Sequence, residues 1–266
     1  LAQALSPSVK PLVKNMNVRE PHNALAFKML SEGTKTRTPK WHGWLPGSAA
    51  MKHNLAQQVA MLDPHTLVLV SEVFSNFGGR GTGLIEALRA VFPDAEFELY
   101  CTLRRPDDYL ISWYGQRLKF GHKLDPLPQN TLEHMVKSIH FDYVKLIAPW
   151  LEVFPDARLH LRTYAEVMAA GGSVQDFTAT VGCDFPSDLP MDGPSNPSLP
   201  RPAYEVIRRA NHELSGEDAE ALRSFFGWAK APGLSFKPQD VEMFGAETRS
   251  ELVRLFAPVE AWLAKV

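Results

Sequence analysis

Apolar and polar positions along the chain separate into runs of two kinds. From Ser48 to Leu62 the spacing predicts a helix. Thr66-Leu67-Val68-Leu69-Val70-Ser71 is a short apolar run rich in β-branched residues, preceded by Asp63-Pro64, and such a run predicts a strand buried on both faces. Gly83–Phe92 places Leu84, Ala87, Leu88 and Val91 at helical spacing, and Pro93-Asp94 breaks it. Glu96–Leu103 predicts a second strand and Pro106–Phe120 a helix, with Pro106 in the first turn, where a missing N–H costs nothing. Thr131–Phe154 predicts a long helical stretch with an interruption. Pro155-Asp156 ends it, and Arg158–Thr163 predicts a third strand. Val174–Val181 is helical. Cys183–Pro200, rich in Pro and Asp, is loop. Pro202–Leu214, Gly216–Ala229 and Glu247–Ala264 are helical, with a turn near Pro238–Phe244.

Strands alternating with helices predict a parallel sheet with crossover helices. The text Phe-Pro-Asp-Ala occurs twice, at Phe92–Ala95 and Phe154–Ala157, and reads as one helix-to-strand turn used twice. The expected architecture is α/β: a three-layer parallel sheet with crossover helices in one domain over 1–266, with a helical C-terminal part over 200–266. Residues 1–47 are expected to be irregular. Leu1–Val13 suggests a helix remnant, and Pro21, Pro39 and Pro46 with Gly33, Gly43 and Gly47 punctuate the rest of that stretch. The cluster Trp41-His42-Gly43-Trp44 in this region is either a loop anchor of large rings or an aromatic wall for a substrate.

Composition narrows the classes. The 266 residues are 45% hydrophobic and 22% charged, with net charge −2. Such a chain is neither disordered, collagenous nor a disulfide scaffold. No positive excess exists to hold a nucleic-acid backbone or an acidic membrane, so neither is an expected partner, while a local basic pocket for a small anion stays open. The two cysteines, Cys101 and Cys183, are expected to be reduced, mostly buried thiols. No apolar run approaches the ~20 residues of a membrane helix. The chain opens on Leu1 rather than Met, without a signal-peptide pattern, and is expected to be a fragment, a processed chain or a trimmed one.

Ligands of open α/β sheets bind beyond the carboxyl ends of strands. That selects Ser71-Glu72, Arg104-Arg105-Pro106 and Thr163-Tyr164. At the second place an arginine ends a strand and a helix N-terminus comes directly after it, offering N–H groups and a favourable dipole to an anion. The guanidinium fork matches phosphate oxygens. Ser112 lies about 9 Å into that helix at 1.5 Å per residue, and helical side chains lean toward the N-terminus. A phosphate over the first turns is therefore within reach of Arg104 and the Ser112 hydroxyl. The structural alternative is that Arg104 or Arg105 only pairs with Asp107 and Asp108.

The string Arg104-x-Pro106-x-Asp108-x-x-x-Ser112-x-Tyr114 resembles the second cofactor motif of the sulfotransferase superfamily, whose fold is P-loop-like. By that resemblance Arg104 and Ser112 bind the 3′-phosphate of 3′-phosphoadenylyl sulfate (PAPS), which serves as co-substrate without a metal. Three weaker likenesses point to the bacterial branch: Val70-Ser71-Glu72 as a strand end, Leu161-Arg162-Thr163-Tyr164 with Val174–Gly182 as a strand and helix, and Asn196–Pro200 leading to Ile207–Asn211. Together they cover roughly residues 60–215. The family's opening strand and Lys-x-Gly-Thr-Thr loop, which cradles the 5′-phosphosulfate, has no counterpart here. Gly33-Thr34-Lys35-Thr36 has similar letters but lacks the strand–loop–helix context, and reads as loop.

Glu72 is the candidate general base, taking the proton of an acceptor hydroxyl as sulfur is attacked. Its structural alternative is a solvated or ion-paired carboxylate, with Arg80 and Arg104 as partners. His22, His42 and His53 fall where they would neighbour the site, without metal-ligand spacing. Neither a Gly-x-Ser-x-Gly elbow nor a Gly-x-Gly-x-x-Gly fingerprint is present. Gly78-Gly79-Arg80-Gly81 reads as a turn, with a loop over the acceptor as the alternative. Trp113 and Tyr114 are expected in the core.

Three functions are expected, in descending order. The first is a cytoplasmic sulfotransferase moving a sulfuryl group to a small-molecule or carbohydrate hydroxyl. The second is a non-catalytic sulfotransferase-like binding domain. The third is a P-loop phosphotransferase, for which the strand-end Asp it needs is missing.

Overall fold

A computed structural model describes residues 22–34, 36–183, 199–228 and 241–266. The expectations placed on Leu1–Val13, on Lys35, on 184–198 and on the turn before 241 lie outside the described residues.

The first helix, α1 (Asn23–Gly33), lies inside the stretch expected to be irregular. Its Ala24, Leu25, Ala26, Met29 and Leu30 are buried, an i, i+1, i+2, i+5, i+6 stripe that the surrounding Pro and Gly residues masked. Next come α2 (Ser48–Leu62), a 3-10 turn at Glu72–Phe74, α3 (Ser75–Gly78) and α4 (Gly83–Arg89). Strand β1 (Glu98–Leu103) leads to α5 (Pro106–Lys119). The stretch expected as one interrupted helix is three elements: α6 (Leu127–Glu133), a 3-10 turn at Met135–Lys137 and α7 (Tyr143–Val153). Strand β2 (Arg158–Thr163) runs into α8 (Tyr164–Ala169) and then α9 (Ser173–Val181). A 3-10 turn at Arg201–Ala203 opens α10 (Tyr204–Glu213), followed by α11 (Gly216–Trp228) and α12 (Gly245–Leu263).

The protein is mixed α/β, and among the described residues its sheet is a parallel pair, β1 beside β2. Thr66–Ser71, expected as a strand, carries no strand. Its polar groups are engaged elsewhere. The Val70 N–H donates to Nδ1 of His22 at 3.1 Å, and the Ser71 hydroxyl bonds the Asn23 side-chain oxygen. A backbone N–H held by a side chain is withdrawn from a strand ladder. The apolar run reflects burial of Val68 (6% exposed) rather than strand pairing.

The chain divides into two compact units. The described residues within Leu1–Thr102, Tyr143–Arg162 and Glu166–Ser187 form the first, and those within Leu103–Asp142, Thr163–Ala165 and Asp188–Val266 form the second.

The core of the first unit gathers α1, α2, α4 and the end of α7 around Phe77 and Ile85, both fully buried. Trp150 stacks between Phe77 and Phe154, at centroid distances of 6.2 Å to each ring. Gly78 closes α3 against α7 so tightly that a Cβ there would meet the Lys145 and Leu146 carbonyl oxygens at 2.6 and 2.5 Å. The Gly78–Gly81 segment is therefore a packed helix end followed by a turn, with Gly81 at φ 85°. Helix α9 is tied to the sheet through Asp176, which is buried. Its carboxylate accepts from Tyr100 Oη at 2.6 Å and from both Nε and a terminal nitrogen of Arg162, the closest at 2.9 Å. These donors hold Asp176 below the usual carboxylate range.

The core of the second unit is built on α5. Leu110, Ile111, Tyr114, Gly115 and Leu118 are buried, the i, i+1, i+4, i+5, i+8 stripe of an amphipathic helix. They meet Ala203, Tyr204, Ile207, Phe244 and Leu252 in one cluster. Asp107 and Asp108 in the first turn of α5 and Arg117 and Lys119 in its last complement the helix dipole. Asn211 of α10 caps the far end, donating to the Leu118 and His122 carbonyls at 3.0 and 3.1 Å.

Candidate functional site

The β1–α5 junction delivers the expected strand–arginine–helix arrangement. Pro106 occupies the start of α5, so its fixed φ suits the first turn. The two arginines before it have different partners. Arg105 grips Asp107 through Nε and a terminal nitrogen at 2.6 and 2.8 Å and lies 3.7 Å from Asp108. Arg249 reaches the same Asp107 at 2.7 Å. Although burial opposes it, these guanidinium groups hold Asp107 below its ordinary value. The ion-pair alternative is thus realised by Arg105. The guanidinium carbon of Arg104 lies over the Tyr164 ring, 4.8 Å from its centroid.

Ser112 is half-buried, and its hydroxyl has no hydrogen-bond partner among the described residues. On α5 it shares a face with Asp108, four residues before, and Gly115, three after. Both neighbours are touched by one segment of chain. Arg201, at the 3-10 turn before α10, donates to Asp108 Oδ1 at 3.4 Å. Tyr204, at the start of α10, sets its phenol against the α5 backbone at Gly115, where no Cβ fits. The Arg201–Tyr204 segment therefore runs along the α5 face and brackets Ser112.

The same phenol joins the arginines electrostatically. Burial pushes the Tyr204 hydroxyl up, and the charges of Arg201 and Arg104 work against that rise. Two guanidinium groups thus act on one buried phenol beside the Ser112 face. Arg201 carries little signal in the sequence. An arginine opening a helix after a Pro-rich loop is common, and nothing local ties it to a serine 89 positions earlier.

Trp113 and Tyr114 divide. Tyr114 is buried, and its hydroxyl donates to the Asp125 carbonyl at 2.8 Å. Trp113 is half-buried, with His140 stacked on it at 4.0 Å and the Arg117 guanidinium carbon 5.2 Å from its ring. His140 also bonds Tyr109 Oη at 2.7 Å, and burial with the nearby Arg117 charge lowers its pKa to about 4.

Glu72 belongs to the first unit. It opens the 3-10 turn capped by Ser71, whose Oγ accepts from the Val73 N–H at 3.1 Å. Its side chain is exposed and forms no ion pair among the described residues. Solvation, rather than pairing with Arg80, is its state here. Of the three histidines expected nearby, His22 is buried on Val70 and has its pKa lowered to about 4, chiefly by burial. His42 is buried with its ring centroid 5.6 Å from that of Phe27, and His53 is exposed. In the aromatic cluster Trp44 is 71% exposed. Gly33 and Thr34 end α1, with the Thr34 hydroxyl donating to the Leu30 carbonyl at 2.7 Å. That segment comes after a helix, so it lacks the context of a phosphate-cradling loop.

A depression in the first unit, lined by Glu86, Arg89, Ala90, Pro93, Glu152 and Val153, contains none of the expected site residues. Its arginine is committed to the Val153 carbonyl at 2.5 Å. No helix among the described residues is long and apolar enough to cross a membrane.

Comparison with known proteins adds one relative. An uncharacterized protein of Archaeoglobus fulgidus is 32% identical over 119 residues, 44% of this chain. The matched stretch spans 31% of that relative's own length. No protein family and no solved structure matches the chain.

Proposed function

We propose that the second unit holds the terminal phosphate of a 3′-phosphoadenylyl nucleotide, and that the chain is a sulfotransferase using PAPS. The observation that carries the reading is the α5 face on which the Ser112 hydroxyl stands between two attachments of the Arg201–Tyr204 segment, with Arg104 at the helix start. A dianion there would meet a neutral donor, a helix N-terminus and the Arg104 guanidinium, a donor set suited to a phosphate monoester. Arg105 is excluded from the set because Asp107 and Asp108 neutralise it.

In this reading Arg104 and Ser112 bind the 3′-phosphate, and Arg201, paired with Asp108, holds its segment against the Ser112 face. The acceptor oxygen attacks sulfur, its proton passes to a general base, and adenosine 3′,5′-bisphosphate leaves. The acceptor is a small-molecule or carbohydrate hydroxyl, no metal takes part, and the protein works in the cytoplasm. The fold the reading requires is P-loop-like: a three-layer parallel sheet with crossover helices in a single domain with a helical C-terminal part.

Isothermal titration with adenosine 3′,5′-bisphosphate tests the site. Arg104→Ala and Ser112→Ala should each weaken binding, and affinity unchanged in both sinks the assignment. A second reading, a non-catalytic nucleotide- or partner-binding domain, is favoured by the lack of a Lys-x-Gly-Thr-Thr stretch in the sequence. Incubation with sulfur-labelled PAPS and a panel of hydroxyl acceptors separates the two, since bisphosphate binding without label transfer supports the second.

A further inference from the structure

Tyr204 is only 4% exposed, yet its hydroxyl forms no hydrogen bond among the described residues. A buried polar atom without a partner costs free energy, and native cores rarely keep one. Among the described residues, the unpartnered side-chain polar atoms sealed from solvent are His42 Nε2 and Asn130 Oδ1. The Tyr204 hydroxyl is therefore not sealed. Its ring is packed in the core of the second unit, while its oxygen opens to space that a small group can enter.

That oxygen lies against α5. A Cβ at Gly115 would stand 2.1 Å from Oη, so the hydroxyl takes the place that a side chain at 115 would fill. Only glycine admits the phenol end there, although glycine inside a helix is destabilising. Ser112 is three positions earlier on the same face, half-buried, and its hydroxyl also has no partner among the described residues. Side-chain positions three apart on a helix are separated by about 5–6 Å at Cβ. Two hydroxyls at that spacing do not bond each other, but one acceptor group about 2.7 Å from each spans them. Burial pushes the Tyr204 pKa up, so at neutral pH the phenol keeps its proton and can donate it. A phosphate offers acceptors only, which suits a pair of donors.

We propose that the Tyr204 hydroxyl is a second neutral donor to the 3′-phosphate, bonding the same group as Ser112. The role rests on the assignment of this α5 face to the nucleotide. Tyr204 is a binding residue and takes no part in sulfuryl transfer.

Titration of the intact chain with adenosine 3′,5′-bisphosphate provides the first test. Tyr204→Phe keeps the ring and should bind about tenfold more weakly, the loss of one hydrogen bond to a charged group. In the double variant the losses of Tyr204→Phe and Ser112→Ala should not add, because both hydroxyls serve one phosphate; strict additivity overturns the shared group. Adenosine 5′-phosphate, which lacks the 3′-phosphate, should not distinguish Tyr204→Phe from the unaltered chain, and an equal loss for both nucleotides overturns the assignment to that phosphate. A ligand-free measurement is also accessible. The urea midpoint of Tyr204→Phe should equal or exceed that of the unaltered chain, because no bond within the protein is removed. A lower midpoint shows the hydroxyl bonded inside the protein and overturns the role. If the unaltered chain binds no bisphosphate, the nucleotide reading falls and the role of Tyr204 falls with it. If it binds, and Ser112→Ala weakens it while Tyr204→Phe does not, the role of Tyr204 alone is lost.

Discussion

The imidazole of His22 accepts the backbone N–H of Val70 at 3.1 Å while only 5% exposed. The accepting Nδ1 must be unprotonated, so the ring is neutral in the folded chain. Burial lowers its pKa from 6.5 to about 4, and His140 of the second unit is lowered to about 4 in the same way. The unfolded chain takes up these protons at a higher pH than the folded one. The stability each provides is complete above about pH 6.5 and is lost as pH falls toward 4, at up to about 1.4 kcal/mol per pH unit for each histidine. Thermal unfolding followed between pH 7.5 and 4.5 should show this decline. His22→Asn, which keeps an acceptor but does not titrate, should flatten the part contributed by the first unit. A slope identical in His22→Asn and the unaltered chain contradicts the assignment.

Gly78 and Gly115 each sit where a neighbour occupies the space of a methyl group. Alanine at either position should destabilise by roughly 1–3 kcal/mol, the usual cost of overpacking. The two sites differ in what can yield. At Gly78 the obstacles are carbonyl oxygens of α7, which no side-chain change removes. At Gly115 the obstacle is the Tyr204 ring end, so Tyr204→Leu should rescue part of the loss in Gly115→Ala. Tyr204→Phe should not, because the ring carbon bearing the hydroxyl also lies inside contact distance. Urea midpoints of the single and double variants measure both effects.

Arg104 and Arg105 are adjacent in sequence but should respond oppositely to alanine. Removal of Arg104 is expected to cost about 2–5 kcal/mol of bisphosphate affinity if the contact is desolvated. Arg105→Ala should leave affinity within a few tenths of a kcal/mol, as befits an exposed ion pair, because its guanidinium is held by Asp107 and Asp108. Arg201→Ala should lower affinity, because it takes a partner from the Asp108 carboxylate that shares the Ser112 face. Titrations at two ionic strengths resolve the three variants, and equal losses for Arg104→Ala and Arg105→Ala count against the assignment.

Burial raises the Cys101 thiol to about 11. Only the thiolate is a good nucleophile, so at pH 8 this cysteine should react slowly with a disulfide reagent in the folded protein and rapidly in urea. Cys183 is also buried. Rapid modification of Cys101 in the native state would contradict its place in the fold.

Much of the fold is legible from local chemistry. Ser48–Leu62 and Arg158–Thr163 have the predicted ends, because Asp63-Pro64 and Pro155-Asp156 punctuate them. The α5 helix is equally plain: a proline start, two acids in the first turn, an apolar stripe and basic residues at the end. The failures have physical causes. Asn23–Gly33 hid among proline and glycine, whose turn signals reach only a few residues. Thr66–Ser71 has strand composition, but a strand exists through a partner's ladder, and here His22, just before α1, takes the Val70 N–H and Asn23 of α1 bonds the Ser71 hydroxyl.

The candidate site shows the same division. Arg104 and Ser112 are readable because eight positions on one strand–helix junction set their relation. Arg201 and Tyr204 are not, because each reaches the site through a contact that crosses more than 80 positions of chain, and Tyr164 is readable only as a strand end. Consecutive residues alone dictate most of the helical segments, where α5 begins and which of its faces is apolar. Which of two neighbouring arginines lies against a ring, and which is neutralised by carboxylates, depends on the folded chain. Helix propensity and dipole are properties of consecutive residues, whereas the partner of a guanidinium is fixed by where packing of distant segments leaves a carboxylate or a ring.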